Sequence, residues 1–482
     1  MVLPRECELK APLFLFVLIL ALFTFVVECD DTIDILGKKK KNRLNKKSSP
    51  VSDAPVAPIP VSDAPVAPIP VPVAPVAPIP VPVAPVPVAP VPVTPAAPTP
   101  SAPASTGRRG LVGETIFDVV ANGAKPDGKT ESALGFMKAW NGACQATGPA
   151  KVLVPPGTFT TGEIIFSGPC TSPQPIIIEI QGTVLSRTDL SLYSNNIWIT
   201  IQGVEGVIVT GGGTLNGQGQ DSWKFDNGGN GGGTLLPLTL VLEQVKNSVV
   251  QDIKLVDSKG FHMKITDSSN ITVTNVNINA PGDSPNTDGV HISDSQDIFI
   301  INSVIGTGDD CVSIGDGNTH ITVSNITCGP GHGISIGSLG KRPDETDVSG
   351  VTVTNCTLTG TTNGARIKTY HDSPTLQASG IIFEDLIMNE VANPIIIDQH
   401  YNSKKNPKQS NVKIVDVHFR NIRGTTSTPI AISLNCSDTT PCENIELSNI
   451  DLAPVGGAPA LSAACSNAKP TVTGTLNPPA CP

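Results

Sequence analysis

Aromatic side chains are scarce in this 482-residue chain, at 4%, and the tryptophans are only Trp140, Trp198 and Trp223. Proteins that grip neutral sugars or bases by stacking carry more rings than this, so the composition points to a polar or charged ligand. Long apolar runs are missing after Gly110, where none approaches the ~18 residues of a membrane-spanning helix. No C-x-x-C pair occurs among the 11 cysteines, which excludes the common zinc and dithiol motifs. Basic charge is also lacking. The formal net charge is −10, and residues 110–482 hold 21 basic and 34 acidic side chains, so nucleic acid is not an expected partner.

Proline and glycine are abundant, 45 of each, and twenty of the prolines fall between Pro50 and Pro103. Proline at every second or third position removes amide donors and fixes φ, so this stretch is expected to be an extended polyproline II segment, without a packed core. It follows a basic run, Lys38 to Lys41, Arg43, Lys46 and Lys47, and ends before Arg108-Arg109. It reads either as a passive spacer or as an arm that reaches a polyanionic matrix. At the N-terminus Arg5 and Lys10 precede the apolar run Leu13–Val27. That run fits a secretory signal peptide over 1–29 better than a membrane span, with an uncleaved anchor as the alternative. The expected organisation is a signal peptide at 1–29, a basic and Pro-rich disordered linker at 30–109 and a domain at 110–482, secreted to the cell exterior and wall. No membrane association is expected after signal cleavage, and the domain is expected to be a monomer.

Cysteine usage and four N-x-S/T triplets, at Asn270, Asn325, Asn355 and Asn435, agree with secretion. Proximity in sequence suggests disulfides Cys144–Cys170, Cys311–Cys328, Cys436–Cys442 and Cys465–Cys481, with Cys356 left as a buried thiol.

From about residue 205 the chain is a succession of short β-rich stretches punctuated by Gly, Asn and Asp. One series begins Ile271-Thr-Val273, Ile298-Phe-Ile300, Ile321-Thr-Val323, Val351-Thr-Val353, Ile381-Ile-Phe383, Val412-Lys-Ile414 and Ile445-Glu-Leu447. A second runs in phase with it: Val290-His-Ile292, Val312-Ser-Ile314, Ile334-Ser-Ile336 and Ala365-Arg-Ile367. Two strand registers recurring every 22 to 33 residues, with no helical period, predict a solenoid. The fold class is all-β: a right-handed parallel β-helix with a short N-terminal capping helix over Ser132–Cys144.

Stacked coils turn sequence spacing into spatial proximity. Asp288, Asp310 and His332 are each 22 residues apart and precede the same strand position, which places them on three successive coils. Asp309 should point differently from its neighbour. Arg366 and Lys368 alternate with inward Ala365 and Ile367 and project outward. Asp-Gly alone is an ordinary turn signal, and polar ladders at solenoid corners often satisfy only backbone groups. Three carboxylates, an imidazole and two cations on one face are different, because like charges ~5 Å apart suppress each other's ionisation. Paired carboxylates can protonate a glycosidic oxygen and activate water. Arg366 and Lys368 would bind an anionic substituent, so an acidic sugar polymer fits both halves. A metal site built from Asp288, Asp309, Asp310 and His332 is disfavoured by the two adjacent cations.

The stretches Ser284-PNTDGVHI, Gly306-TGDDCVSIG, Cys328-GPGHGISIGSLGK and Asn363-GARIKTY resemble the four signature blocks of the polygalacturonases, glycoside hydrolase family 28. The likeness covers roughly Glu114 to Pro482, includes GTLNGQG, NPIIIDQHY and RNIRGT, and is closest to the plant pollen-type exopolygalacturonases. The resemblance implies a pectin-lyase-like β-helix that hydrolyses α-1,4-galacturonosyl bonds with inversion and without a cofactor or metal. It implies Asp309 as general acid, Asp288 and Asp310 as the pair that holds and deprotonates water, and His332 as a tuner of the acid's protonation. Arg366, Lys368, Tyr401 and Asn286 would contact substrate, with Asn286 alternatively only shaping its turn. Polygalacturonate is the implied partner, cleaved in exo mode from the non-reducing end. Endo action, or a catalytically weak pectin-binding wall protein, is the alternative. Two loops depart from the plant pattern, Tyr401-Asn402-Ser-Lys-Lys and Asp226–Pro237, because neither carries the cysteine expected there.

Overall fold

A computed structural model describes residues 113–226, 236–403, 408–456 and 460–481. The signal-peptide and Pro-rich expectations, the Arg108-Arg109 pair and most of the 226–237 loop lie outside these residues.

The described chain is a right-handed parallel β-helix. Every registered strand pairing is parallel, and one face is an eleven-stranded sheet running coil by coil from Ile164–Ser167 to Ser462–Ser466. Parallel strands in one sheet need crossovers, and here the crossovers are themselves strands, so each coil buries its inward side chains against the next. Ile271, Ile298, Ile321, Val351 and Ile381 form one such stack, fully buried and in direct register.

Each coil has three faces, whereas the sequence pattern disclosed two. The longer strands, such as Gln296–Gly306 and Thr319–Cys328, bend between the first and second faces at a residue with positive φ. That corner is a ladder of Asp252, Asn275, Asn302, Asn325, Asn355, Asp385, Asn421 and Asn449. Asn and Asp tolerate the left-handed region, and their amides bond along the ladder, as in Asn325 to Asn302 at 2.9 Å and Asn449 to Asn421 at 3.2 Å. The second face hides in the sequence because its apolar positions, such as Ile278 and Ile305, follow the corner residue without a break.

One expected register is corrected. Val412 pairs with Leu376, and the residue in register with Ile381 is Val417, so Val417-His-Phe419 continues the stack and Val412-Lys-Ile414 does not. Gly380 and Asp416 have positive φ and reset the inside–outside alternation, so the period-two pattern occurs twice in this strand. Phe419 then lies flat on Phe383, ring centroids 5.4 Å apart and 2° from coplanar. Both are fully buried. Phe419→Ala is expected to cost about 3–5 kcal/mol of stability, measured by urea unfolding.

The capping helix α1 is Ala133–Cys144. Its buried face, Ala133, Phe136, Ala139, Trp140 and Ala143, follows helical spacing. Trp140 stacks on Phe166 at 5.1 Å, so the helix covers apolar coil edges that would otherwise meet water. All four expected disulfides are present. Cys356 is a buried thiol whose pKa burial pushes up to about 11, which keeps it inert. No helix among the described residues is long and apolar enough to cross a membrane.

Candidate active site

Two columns of side chains on the eleven-stranded face build the site. The register Met263↔Val290↔Val312↔Ile334↔Ala365 aligns the positions two residues upstream: Phe261, Asp288, Asp310, His332 and Asn363. The same register aligns the outward positions Lys264, His291, Ser313, Ser335 and Arg366. The turns before these strands need glycine. A Cβ on Gly308, beside Asp309, would sit 1.9 Å from Ser284 O, and one on Gly333, beside His332, would sit 2.0 Å from Asn363 O.

Asp288 and Asp310 are 6% and 1% exposed, the first held by one hydrogen bond and the second by three. Ser313 Oγ donates to Asp288 Oδ2 at 2.6 Å. Asp310 Oδ1 accepts from Ser335 Oγ at 2.8 Å and from Arg366 Nη2 at 2.5 Å, while Lys368 Nζ reaches Oδ2 at 2.8 Å. Asp309 points elsewhere, as expected. Its Oδ1 lies 2.8 Å from His332 Nδ1 and accepts the Asp310 amide at 2.8 Å. Asp309 and His332 are the more open pair, with side chains 19% and 39% exposed.

The electrostatics divide the two buried carboxyls. Burial pushes Asp288 well above the usual carboxylate range, and Asp309 and Asp310 beside it add to the push. Burial acts on Asp310 in the same direction but loses to Arg366 and Lys368, which hold that carboxyl down to about 2. One carboxylate is therefore ionised at any working pH, while its neighbour keeps a high proton affinity.

These groups open on a cleft of about 340 Å³. Lys368 and Tyr401 line it, with Lys368 Nζ 5.2 Å from the Tyr401 ring, and Tyr401 packs edge-on against Tyr370. Asn286 also lines it, in a left-handed conformation with its amide 2.6 Å from Asp226 Oδ2. Arg366 stands behind Asp310, 9% exposed, with its Nε donating to Ser335 at 2.7 Å. The oxygens and nitrogens of Asp309, Asp310 and His332 that could bind a cation lie within 4.8 Å of one another. Asp310 is already neutralised there by two cations, which fits a metal poorly.

Sequence reasoning missed Ser313 and Ser335, which hold the carboxylates, and Phe261, His291 and Tyr370, which line the cleft. The outward position of each Val-x-Ile triplet was the available signal. Read down the column it is His, Ser, Ser, Arg, polar throughout on strands otherwise buried.

The fold and this site define a solenoid with paired carboxylates beside fixed cations, the equipment of a glycosidase for acidic substrates. The chain belongs to glycosyl hydrolases family 28, whose profile matches residues 144–476. The polygalacturonase of Gossypium barbadense is 44% identical over 370 residues, covering 76% of this chain and 90% of its own. The Arabidopsis thaliana exopolygalacturonase clone GBGE184 is 40% identical over 390 residues, covering 78% and 91%. Among solved structures, an exopolygalacturonase from Thermotoga maritima superposes with a TM-score of 0.61 at 20% identity, covering 70% of this chain and 87% of its own. That likeness speaks to the fold alone.

Proposed function

We propose that this protein hydrolyses α-1,4-galacturonosyl bonds of pectate, acting from the chain end, as a secreted wall enzyme. The observation that carries the chemistry is the convergence of Asp288, Asp309, Asp310 and Lys368 on one cleft of a family 28 chain, with His332 bonded to Asp309. Asp309 is the general acid. Both of its bonds fall on Oδ1, and among the described residues nothing engages Oδ2, the oxygen left to carry a transferable proton. His332 orients that carboxyl and balances its charge as the proton leaves. Asp288 and Asp310 hold the attacking water. Asp310 supplies permanent negative charge, and Asp288 has the proton affinity to act as base.

Lys368, at the cleft wall, contacts the galacturonate carboxylate as a point charge. Arg366, behind Asp310, spends two of its five N–H donors on Ser335 and Asp310 and favours the same carboxylate through its charge. Tyr401 and Asn286 border the sugar. Exo action rests on relatives that carry that name, such as those from Arabidopsis thaliana and Platanus acerifolia.

Product analysis on polygalacturonate tests both levels. Monomer from the first time point is expected. An oligomer ladder would replace exo by endo action, and no release of reducing ends would leave a pectin-binding module. The reaction is expected to invert the anomeric centre. Asp309 and Asp310 bring oxygens within 4.8 Å, shorter than the ~6.5–9.5 Å usual for carboxyls flanking a water and nearer the ~5–5.5 Å of retaining enzymes. Stereochemistry is thus a separate test: NMR of the nascent product showing retention would overturn the water-holding role.

A further inference from the structure

The two buried carboxylates are supported in parallel ways. Ser335 donates to Asp310 and accepts from Arg366 Nε at 2.7 Å. One coil earlier, Ser313 donates to Asp288 at 2.6 Å, and its oxygen lies 2.9 Å from His291 Nδ1. The support is alike in shape and different in charge: a guanidinium behind one serine, an imidazole behind the other. Ser313 has a single hydrogen. With that hydrogen on Asp288, its oxygen must accept from His291, which fixes the imidazole as the Nδ1–H tautomer.

The ring is held for this task. Phe261 packs on one side at 5.0 Å between centroids. Gly315 lies beside the ring, where a Cβ would stand 3.4 Å from His291 Cε1, an ordinary contact. We propose that His291 is a positioning residue of the hydrolysis, a neutral donor that aims the Ser313 hydroxyl at Asp288 without acidifying it. This inference rests on Asp288 being the water-side base.

Neutrality follows from the surroundings. Burial pushes the imidazole down to about 3, with Lys264, Lys368 and Arg342 pushing the same way and Asp310 opposing. Asp309, Asp310 and Lys368 are the charges that face Asp288. A cation in place of His291 would draw Asp288 toward the behaviour of Asp310 and remove its capacity to take a proton. With no donor there, the Ser313 hydroxyl would be free to turn away, and Asp288 would lose the one hydrogen bond that favours its ionised form.

The test is the pH dependence of kcat on polygalacturonate. His291→Leu is expected to raise the acid-side apparent pKa by about one unit, the scale of one hydrogen bond to a carboxylate. His291→Asn, whose amide can donate from nearly the same place, is expected to restore the wild-type limb. Ser313→Ala should shift the limb as His291→Leu does, and the double variant no further than Ser313→Ala alone, because the histidine acts only through the serine. An unmoved limb in folded His291→Leu, or a double variant with additive shifts, overturns the inference. If His291→Leu fails to fold, Ser313→Ala with an unmoved limb overturns it equally. Asp288→Asn separates the premise: near-wild-type turnover in that variant would remove Asp288 as base, whatever His291 does.

Discussion

Asp309→Asn is expected to lower kcat on polygalacturonate by ~100-fold or more while KM stays within about twofold. The amide keeps the size of the side chain and can still meet His332, so the turn and the substrate surface persist. What it lacks is a proton to deliver to the leaving oxygen. Asp309 is 19% exposed at the side chain and carries no bridge to Arg366 or Lys368, so the substitution leaves the buried charge balance around Asp310 intact. Unfolding should therefore be almost unchanged. A variant that keeps more than about a tenth of the rate would move the general acid elsewhere. The same loss accompanied by a large KM rise would make Asp309 a binding group.

Lys368→Met is expected to do two things at once. It removes a point charge from the cleft wall, so KM for polygalacturonate should rise steeply while carboxyl-reduced polymer is little affected. It also takes from Asp310, 1% exposed, one of its two cations. Removing one partner of a buried pair typically costs about 3–5 kcal/mol. The lower end is expected here because Arg366 stays in place.

The sign with pH is definite. Asp310's folded pKa, about 2, lies below its ordinary value of 3.8, so its contribution to stability is present above ~4 and is lost as pH falls toward 2. Without Lys368 that pKa rises toward 3.8, so the contribution shrinks and its loss is complete at a higher pH. Urea unfolding between pH 3 and 8, beside kinetics on both polymers, reads the two effects separately. Equal KM changes on acidic and reduced polymer would make Lys368 purely structural. Arg366→Met is the counterpart: from its place behind Asp310 it should cost stability at least as much, with a smaller substrate preference.

Much of this was open to the sequence because a solenoid converts spacing into proximity. Two residues a coil apart must stack, so the equal intervals between Asp288, Asp310 and His332 were enough to align them. The parity of Ala365-Arg-Ile367-Lys was enough to send both cations outward. The capping helix was legible from its spacing, and the four disulfides from proximity in sequence, since local pairing is what a repeating coil permits. The Val412 register failed for the opposite reason. A left-handed residue at Asp416 flips the alternation, and a period-two pattern cannot show on which side of such a residue the neighbouring coil takes its register.

What the sequence determined by itself is therefore the architecture and the alignment of Asp288, Asp310 and His332, both consequences of periodicity, and the family likeness that its motifs carry. What only the tertiary structure decided is the division of labour inside that column. Asp288 and Asp310 look alike in sequence, each before a small residue and a valine. They become different acids because one faces a serine backed by a neutral imidazole and the other a serine backed by a guanidinium with Lys368 beside it. The same holds for the cations: strand parity sends Arg366 and Lys368 outward together and both are buried, but only Lys368 lines the cleft. Proton affinity depends on the charges and dielectric within a few ångströms in three dimensions, which a one-dimensional pattern does not contain.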